Sequence, residues 1–369
     1  AKMPWMVTEY VGSFLAPNMH SWDSESDLLN FTDVNMSILN AIISKGTICA
    51  AFNWTSFDYN TEPSQGELGN KYSGNSDIFK NYKFPAYFHR AQRDPDKYGP
   101  VVYIASYWNA SSPANIWVAS NCDSVALFIN GVSQGKKAPN LYTSLVHPVF
   151  QIPVTYQAGN IKAIGYRKGI AVDSMTRYTP GSPISVVLKP DASSLIADGG
   201  DMTRVYVAVV DQYNQPVPQA SNTVTFSVSG AGTFFGENPL ALENGQGAFF
   251  VQTKLHQTGA ITCQATSPGL TAGSATIQVQ DFIDPVVTGP GVGVVWNAAK
   301  HLSAQTTSAM FKAIGARFVI DKKYLGKKCA VFNLSGRLIA RFSAAPRVID
   351  LQSAAVGKST GVYTVHVYN

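Results

Sequence analysis

The first hundred residues alternate between short apolar runs and longer segments in which apolar residues recur every three or four positions. An apolar run at 4–10 predicts a strand, and the spacing over 26–45 is that of an amphipathic helix. A continuous apolar run at 47–54, rich in β-branched and aromatic residues, is typical of a buried parallel strand. A second helix is predicted near 85–92. The order strand, helix, strand, helix over residues 1–98 therefore indicates a parallel α/β arrangement.

From residue 99 the pattern becomes one of short strands that are separated by turn residues. This repetition favours two successive immunoglobulin-like β-sandwiches, at 99–190 and 191–281. Asn130-Gly131 is a strong hairpin signal. The predicted strands are 101–108, 115–120, 124–131, 149–156, 160–167 and 184–190 in the first sandwich, and 204–211, 223–230, 247–254 and 260–267 in the second.

The final part of the chain reads as a linker and one further domain. Residues 282–295 are rich in Pro and Gly and are interpreted as an inter-domain linker. Residues 296–369 contain several short apolar strands, with a hairpin turn at Ser335-Gly336, and predict a small C-terminal antiparallel β domain. The fold class predicted is therefore multidomain and mainly β.

Composition narrows the classes of partner. Hydrophobic residues make up 45% of the 369 residues and charged residues 14%, so the chain can build ordinary buried cores. The net charge of +5 is uneven: eleven basic and two acidic residues follow position 295, whereas 17 basic and 21 acidic residues precede it. The sequence has no nucleic-acid-binding motif, and we expect no nucleic-acid partner. No apolar run approaches about 18 residues, so no membrane span is expected.

Metal-binding patterns are also missing from the sequence. The four cysteines are far apart and form no CxxC or Cys/His spacing, so each is expected to be a small buried apolar residue. They are Cys49, Cys122, Cys263 and Cys329. Asp198 and Asp201, in the segment ADGGD, are interpreted as turn residues rather than calcium ligands.

Candidate chemistry is concentrated where the first two strands end. Glu9 closes the first strand, and polar and aromatic residues follow the second. The carboxyl ends of parallel strands share one edge, and a carboxylate beside a flat aromatic ring suits a sugar. From these residues alone, Glu9 could be an ordinary strand-end acid and Trp54 a core residue. The candidate substrate-binding residues are Asn53, Trp54, Asp58, Tyr59 and, in the loop after Glu9, His20.

The stretches PWMVTEYVG and FNWTSFDY resemble the last two strands of the catalytic (β/α)₈ barrel in family 2 glycoside hydrolases, the β-galactosidase and β-glucuronidase group. The resemblance implies that residues 1–98 are the last strands and helices of such a barrel. Thr8-Glu9-Tyr10 matches the context of the family's nucleophile at the end of the seventh strand. Trp54 matches the aromatic residue that borders the bound sugar at the end of the eighth strand.

The resemblance continues over about three quarters of the chain. Residues 76–92 resemble the family's final barrel helix, although Lys83-Phe84-Pro85 departs from its usual form and is assigned no role. Residues 120–135, 154–169 and 195–218 resemble the family's downstream sandwiches. The implied substrate is an oligosaccharide or polysaccharide. Galactoside is the commonest choice in the family, and glucuronide and mannoside enzymes share these strand ends.

The resemblance also implies a retaining mechanism, in which two carboxyl groups about 5 Å apart act on one sugar. In this family the acid/base Glu follows an Asn on an earlier strand, and this chain has no Asn-Glu dipeptide. We therefore expect the chain to be inactive alone and to need an upstream barrel segment or a separate chain as partner. Some relatives bind Mg²⁺ or Na⁺ near the site. No matching cluster is present, and no cofactor is predicted.

The segment 317–342 and the ending GVYTVHVYN resemble the C-terminal sorting domains of the type IX secretion route. This implies a protein that is secreted by, or displayed on the surface of, a Gram-negative bacterium. A different class of function remains open: a non-catalytic array of β-sandwiches that binds carbohydrate or serves surface display. The strand-helix-strand start and Glu9 favour the enzyme.

Overall fold

The computed structural model describes residues 3–11, 22, 24–60, 69–282, 296–297, 311–314, 317–320, 325–333, 338–344, 348–350 and 362–368. The chain divides into two compact units, Ala1–Phe282 and Ile283–Asn369. Strands predominate over helices in the described part, which confirms the prediction of a mainly β protein. None of the helices within these residues is long and apolar enough to cross a membrane.

The chain begins with a strand, a helix and a second strand. Strand β1 (Trp5–Tyr10) and strand β2 (Ile48–Asn53) pair in parallel, and helix α1 (Glu25–Ser44) makes the crossover that a parallel pair requires. Ser24 caps the helix, since its hydroxyl accepts a hydrogen bond from the Asp27 main-chain N–H. The helix and the parallel strands therefore follow the sequence pattern.

Helix α1 covers one face of the β1–β2 pair. Tyr10 and Phe31 are buried together, and Val7 and Ala51 pack against them. Successive side chains of a strand point to opposite faces, so the neighbour of Ala51, Phe52, is 55% exposed. The pair is thus buried against α1 and open on its other face.

The segment that follows β2 is irregular and ends in a short helix. Helix α2 (Phe84–Ala91) has Pro85 in its first turn, where the missing N–H costs nothing, and it confirms the predicted second helix. The elements of this segment are β3 (Tyr59–Asn60), β4 (Asn70–Lys71), α2 (Phe84–Ala91) and α3 (Pro95–Tyr98).

A pair of antiparallel sheets follows the helices. One sheet has the order β5-β6-β9 and the other the order β11-β10-β7-β8, and both contribute to one core that contains Ile104, Val118, Leu127 and Phe150. The other face of the three-stranded sheet packs against α1 and α2. The strands are β5 (Val102–Ala105), β6 (Asn115–Ser120), β7 (Ser124–Ile129), β8 (Val132–Lys137), β9 (Phe150–Pro153), β10 (Asn160–Arg167) and β11 (Ile170–Tyr178).

A second pair of sheets surrounds its own core. The orders are β12-β14-β18-β16 and β13-β20-β19-β15-β17, and the core includes Val207, Phe226, Phe249 and Ile261. The strands are β12 (Ser185–Pro190), β13 (Ser194–Ile196), β14 (Met202–Val210), β15 (Thr223–Gly230), β16 (Gly232–Phe235), β17 (Leu240–Ala241), β18 (Gln246–Thr253), β19 (Gly259–Thr266) and β20 (Gly273–Gln280).

Strand β12 differs from the expected boundary between the two sandwiches. The sequence pattern places residues 184–190 at the end of the first sandwich, whereas β12 pairs with β14 over its full length. Val186 is buried in the second core and Leu188 packs against it. A strand joins the sheet that buries its apolar face, so β12 belongs with the second sandwich.

The C-terminal unit is also built of antiparallel strands. Its sheets have the orders β21-β27-β24-β25 and β22-β23-β26. The predicted linker, 282–295, and the turn at Ser335-Gly336 lie outside the described residues except for Phe282. The strands are β21 (Trp296–Asn297), β22 (Phe311–Ile314), β23 (Arg317–Ile320), β24 (Lys328–Asn333), β25 (Leu338–Phe342), β26 (Val348–Asp350) and β27 (Val362–Tyr368).

One of the four cysteines differs from expectation. Cys122, Cys263 and Cys329 are buried, as predicted, but Cys49 is exposed. Cys49 lies near the start of β2, where its thiol donates to the main-chain oxygen of Trp5 at 3.2 Å and Trp5 is itself exposed. Too little of the chain covers this end of the β1–β2 pair to bury the thiol.

Candidate functional site

Glu9 and Trp54 lie at the same edge of the β1–β2 pair. Because the strands are parallel, their carboxyl ends meet, and Tyr10 stands opposite Asn53 in the register. The main-chain N–H of Trp54 donates to the main-chain oxygen of Tyr10 at 2.9 Å, which holds Trp54 beside the residue that follows Glu9. Both predicted residues have exposed side chains, and that of Trp54 is 43% exposed.

The register of the pair shifts at Glu9. Val7 stands opposite Ala51 and Tyr10 opposite Asn53, so β1 holds one more residue than β2 between these positions. Such a bulge bends a strand and re-aims its side chains. Tyr10 is buried, and burial raises the pKa of its hydroxyl to about 12. The strand is therefore anchored at Tyr10 while the Glu9 carboxylate is left exposed.

Tyr59 fixes the Trp54 ring. The indole N–H of Trp54 donates to the Tyr59 hydroxyl oxygen at 2.9 Å, and the rings meet edge to face with centroids 5.9 Å apart at 86°. The structure brings these two predicted residues together. With its only polar group engaged by Tyr59, the exposed indole surface that remains is apolar.

Asp58 is not exposed as a sugar contact would be. Its side chain is 2% exposed, and its Oδ1 accepts hydrogen bonds from the Lys83 ammonium at 2.8 Å and the Gly74 main-chain N–H at 2.9 Å. Lys83 is also buried and donates to the main-chain oxygen of Tyr72 at 3.2 Å. The carboxylate thus joins the loop after β2 to the start of α2, which is why it points inward.

Gly74 is required where these segments meet. A β-carbon at Gly74 would lie 2.2 Å from the Asp58 main-chain nitrogen and 2.2 Å from the Phe57 carbonyl carbon. Backbone contacts of this kind have no flexible side chain that could move aside. Residues 55–58 and 73–76 therefore lie in direct main-chain contact, with hydrogen bonds that include Asn75 N–H to Thr55 O at 3.0 Å.

Asn53 also points into the protein. Its Nδ2 donates to Asn35 Oδ1 on α1 at 2.9 Å, and its Oδ1 accepts a hydrogen bond from Asn75 Nδ2 at 2.6 Å. Asn53 has the same strand parity as Ala51, whose side chain packs under α1. The structure thus separates Asn53 and Asp58 from the exposed pair of Glu9 and Trp54.

One predicted residue is not described by the structure, and three residues near the site were not predicted to take part in it. His20 lies outside the described residues. Lys83 is assigned no role from the sequence, and Asn75 and Gly74 are not among the predicted residues. A lone Lys between Tyr82 and Phe84-Pro85, in an otherwise apolar stretch, is the one signal that could have indicated a buried charge. Within the described part of the chain, no group of three or more His, Cys, Asp or Glu side chains is arranged to hold a metal ion.

Two segments of the chain match known protein families. Residues 111–173 match a family described as Domain of unknown function (DUF4982). Residues 186–276 match the family described as Glycoside hydrolase family 2 C-terminal domain 5. The second match begins within β12 and so agrees with the sheet pairing of that strand.

The chain is also similar to several known enzymes over more than half of its length. A β-galactosidase of Thermoanaerobacter pseudethanolicus is 35% identical over 280 residues, which cover 71% of this chain and 37% of that protein. A β-galactosidase of Bacteroides ovatus is 32% identical over 204 residues, 53% of this chain and 23% of that protein. The crystal structure of a β-glycosidase from Bacteroides vulgatus shares the fold, with a TM-score of 0.58 and 24% identity over 66% of this chain and 32% of that one.

The chain spans less than half the length of these relatives. The sequence similarity reaches beyond the sandwich region, since 71% of the chain aligns with the first relative. The family match and the relatives agree, since the family is of glycoside hydrolases and both relatives are β-galactosidases. Residues 186–276 therefore match a glycoside hydrolase family 2 domain, and the chain is similar to a part of family 2 enzymes.

Proposed function

We propose that this chain supplies the nucleophile-bearing end of a secreted, retaining β-glycosidase that acts on β-galactosides of oligosaccharides or polysaccharides. The observation that carries the proposal is the edge of the β1–β2 pair, where the exposed Glu9 lies in a bulge and the main chain of Trp54 is hydrogen-bonded to the next residue, Tyr10. In this proposal residues 1–98 are the end of a (β/α)₈ barrel, and the two sheet pairs are immunoglobulin-like sandwiches.

The proposed reaction is a two-step hydrolysis in which the exposed carboxylate of Glu9 is the nucleophile. Glu9 attacks the anomeric carbon, and the bond from that carbon to the leaving oxygen breaks as an acid carboxyl group protonates the oxygen. Water then attacks the same carbon while the second carboxylate takes a proton from it, and the bond to Glu9 breaks. The acid/base group lies on a barrel strand outside these 369 residues, so we expect no turnover by this chain alone.

The other site residues have supporting roles. Trp54 offers an apolar ring surface against which the C–H face of a sugar stacks. Tyr59 orients that ring through the bond to the indole N–H. Asp58 and Lys83 hold the loop that follows the strand. Both of the relatives described above are β-galactosidases, which supports a galactoside as substrate.

Covalent labelling tests the role of Glu9 directly. The polypeptide that carries this chain with its complete barrel is treated with an activated 2-deoxy-2-fluoro-β-galactosyl fluoride, which forms a slowly hydrolysed ester with a retaining nucleophile. We expect mass spectrometry to find the label on Glu9, and Glu9→Gln to lower kcat by about 10³-fold or more, as loss of a covalent nucleophile does.

The controls separate the alternatives. Glu237 is another surface carboxylate, and Glu237→Gln should leave labelling and kcat unchanged. A label on another carboxylate, with full activity in Glu9→Gln, would refute the assignment of Glu9. Binding of galactosides without any labelling or turnover would instead favour the non-catalytic β-sandwich array. The 369-residue chain assayed by itself should show no turnover.

We also propose that the C-terminal unit directs export to the cell surface by the type IX route. The unit is antiparallel β-structure, and its last strand, β27, runs through the segment that resembles sorting signals. Fusion of residues 283–369 to a reporter, in a bacterium that has this route, should export the reporter. Retention of that reporter inside the cell would argue against the proposal.

A further inference from the structure

A chain of polar side chains runs from helix α2 to the candidate site. His89 Nε2 on α2 lies 3.2 Å from Asn35 Oδ1 on α1, and the same oxygen accepts a hydrogen bond from Asn53 Nδ2 at 2.9 Å. Asn53 Oδ1 in turn accepts from Asn75 Nδ2 at 2.6 Å. Asn35 is fully buried, at 0% exposed. Four side chains from two helices, a strand and a loop are thus connected in series.

The donors and acceptors of this series fit only one arrangement. Asn35 Nδ2 donates to the main-chain oxygen of Phe31 at 2.9 Å, so its Oδ1 faces Asn53 and His89 and accepts from both. Because that oxygen is an acceptor, His89 must carry its proton on Nε2. Asn53 then donates with its nitrogen and accepts with its oxygen. Reversal of any one amide would place two donors or two acceptors face to face.

The last two members of the series, Asn53 and Asn75, hold the residues on either side of Trp54. Asn53 precedes Trp54, and Asn75, which holds the Asn53 side chain, also donates its main-chain N–H to the oxygen of Thr55 at 3.0 Å. The Trp54 N–H itself is bonded to Tyr10, next to Glu9. The Asn53 side chain, the Trp54 N–H and the Thr55 main-chain oxygen are therefore each held by a hydrogen bond, and Asn75 is the donor in two of the three.

We propose that His89 and Asn35 are positioning residues, which act through Asn53 and Asn75 to hold Trp54 in register with Glu9. This inference rests on the proposed glycosidase function. A contact between two helices needs only apolar side chains, and burying polar ones is unfavourable unless each is hydrogen-bonded. Here each side chain from His89 to Asn53 is hydrogen-bonded to the next. The series reaches Asn53, which precedes Trp54, and the exposed ring of Trp54 is the candidate sugar platform. Small displacements of such a platform weaken catalysis because the reacting groups no longer meet.

The test compares variants of Asn35 in the polypeptide with its complete barrel. Asn35→Leu removes the acceptor and should lower kcat/KM by about 10- to 100-fold, since misplacement of about 1 Å has effects of that order. Asn35→Asp keeps an oxygen that accepts from Asn53 and His89 but loses the donor to the main-chain oxygen of Phe31, so it should retain more activity than Asn35→Leu and less than the wild type. Thr32→Val is the matched control, because Thr32 is equally buried on α1 and its hydroxyl bonds only to Leu28 O within the helix.

The outcomes are distinguishable. If Asn35→Leu folds and keeps the wild-type kcat/KM, or if Thr32→Val loses as much activity at equal thermal stability, the positioning role is refuted. If the wild-type protein neither labels nor turns over, the proposed function has failed instead. ¹⁵N NMR of His89 in the 369-residue chain is independent of activity: it should show the Nε2–H tautomer at neutral pH, and the Nδ1–H tautomer would overturn the series as described.

Discussion

At the scale of single residues, burial separates two carboxylates that look alike in the sequence. Glu9 and Asp58 both follow apolar strand segments, yet Glu9 is exposed while Asp58 is 2% exposed and paired with Lys83. A buried ion pair at 2.8 Å has its charge neutralised by its partner, and it serves structure rather than contact with a ligand. The same distinction separates Trp54, which is exposed, from Asn53, whose amide is bonded on both sides.

Replacement of Trp54 tests the sugar platform. In the polypeptide with its complete barrel, Trp54→Ala should lower kcat/KM for an aryl β-galactoside by about tenfold or more, which corresponds to about 1.5 kcal/mol of ring contact. Trp54→Phe, which keeps a flat ring, should retain more activity. Because the ring is 43% exposed, the thermal unfolding temperature should change little in either variant. Equal kcat/KM in the wild type and Trp54→Ala would exclude Trp54 from the substrate site.

The pH dependence of stability reports on His89. Burial lowers the pKa of His89 to about 4, from an ordinary value of 6.5. Between these values the unfolded chain binds a proton that the folded chain does not, so this residue's contribution to stability is lost as pH falls from 6.5 towards 4. The free energy of unfolding should therefore fall more steeply over this window in the wild type than in His89→Gln. Parallel urea-unfolding profiles for the two proteins would contradict a depressed pKa.

At the scale of secondary-structure elements, the loop after β2 and helix α2 form one structural connection. Residues 55–58 and 73–76 are joined by main-chain hydrogen bonds, and Lys83 closes the connection from the start of α2. Gly74 permits the close approach, because a side chain there would overlap the backbone of Phe57 and Asp58. The position of Trp54 thus depends on elements that follow it by 20 to 30 residues.

Breaking the buried pair should unfold this connection. Lys83→Met leaves the Asp58 carboxylate buried without its cation and should lower the free energy of unfolding by about 3–5 kcal/mol. The double variant Asp58→Asn with Lys83→Met removes both charges and should recover part of that loss. Lys137→Met, at an exposed lysine, is the control and should have little effect. A loss in Lys83→Met no larger than in the control, measured by urea unfolding, would show that the pair contributes little.

At the scale of the whole N-terminal unit, the second sandwich is joined to the segment around the candidate site. Arg204 on β14 donates to the main-chain oxygen of Phe79 at 2.8 Å and to Asn81 Oδ1 at 3.0 Å, while Asp191 holds its other side at 2.9 and 3.1 Å. Asn81 is bonded to the buried Asp77. A residue of the second pair of sheets therefore supports the segment that leads into α2.

Removal of this contact should loosen residues 77–81. Arg204→Met leaves two acceptors without their charged donor, and hydrogen bonds to charged groups contribute about 1.5–3 kcal/mol each. Amide hydrogen exchange followed by mass spectrometry should become faster at 77–81 as well as near β14. Lys189→Met, an exposed change on β12, should leave exchange at 77–81 unaltered. Faster exchange confined to β14 would show that Arg204 does not stabilise the segment.

The sequence by itself determined the local structure of this protein. Helix α1, the parallel strands on either side of it and the Asn130-Gly131 hairpin follow from periodicity and turn chemistry, which are properties of neighbouring residues. The same patterns predicted that Glu9 and Trp54 lie at one edge, because the carboxyl ends of parallel strands meet.

Only the tertiary structure decided which polar groups at that edge are exposed and which sheet each strand joins. Asp58 finds its cation 25 positions away in Lys83, and Asn53 finds its acceptor 18 positions away in Asn35. Strand β12 pairs with β14 although its alternation fits either sandwich. The alternation of apolar and polar residues predicts which side chains are buried or hydrogen-bonded. Which residue each of them contacts depends on packing between segments that are distant in sequence.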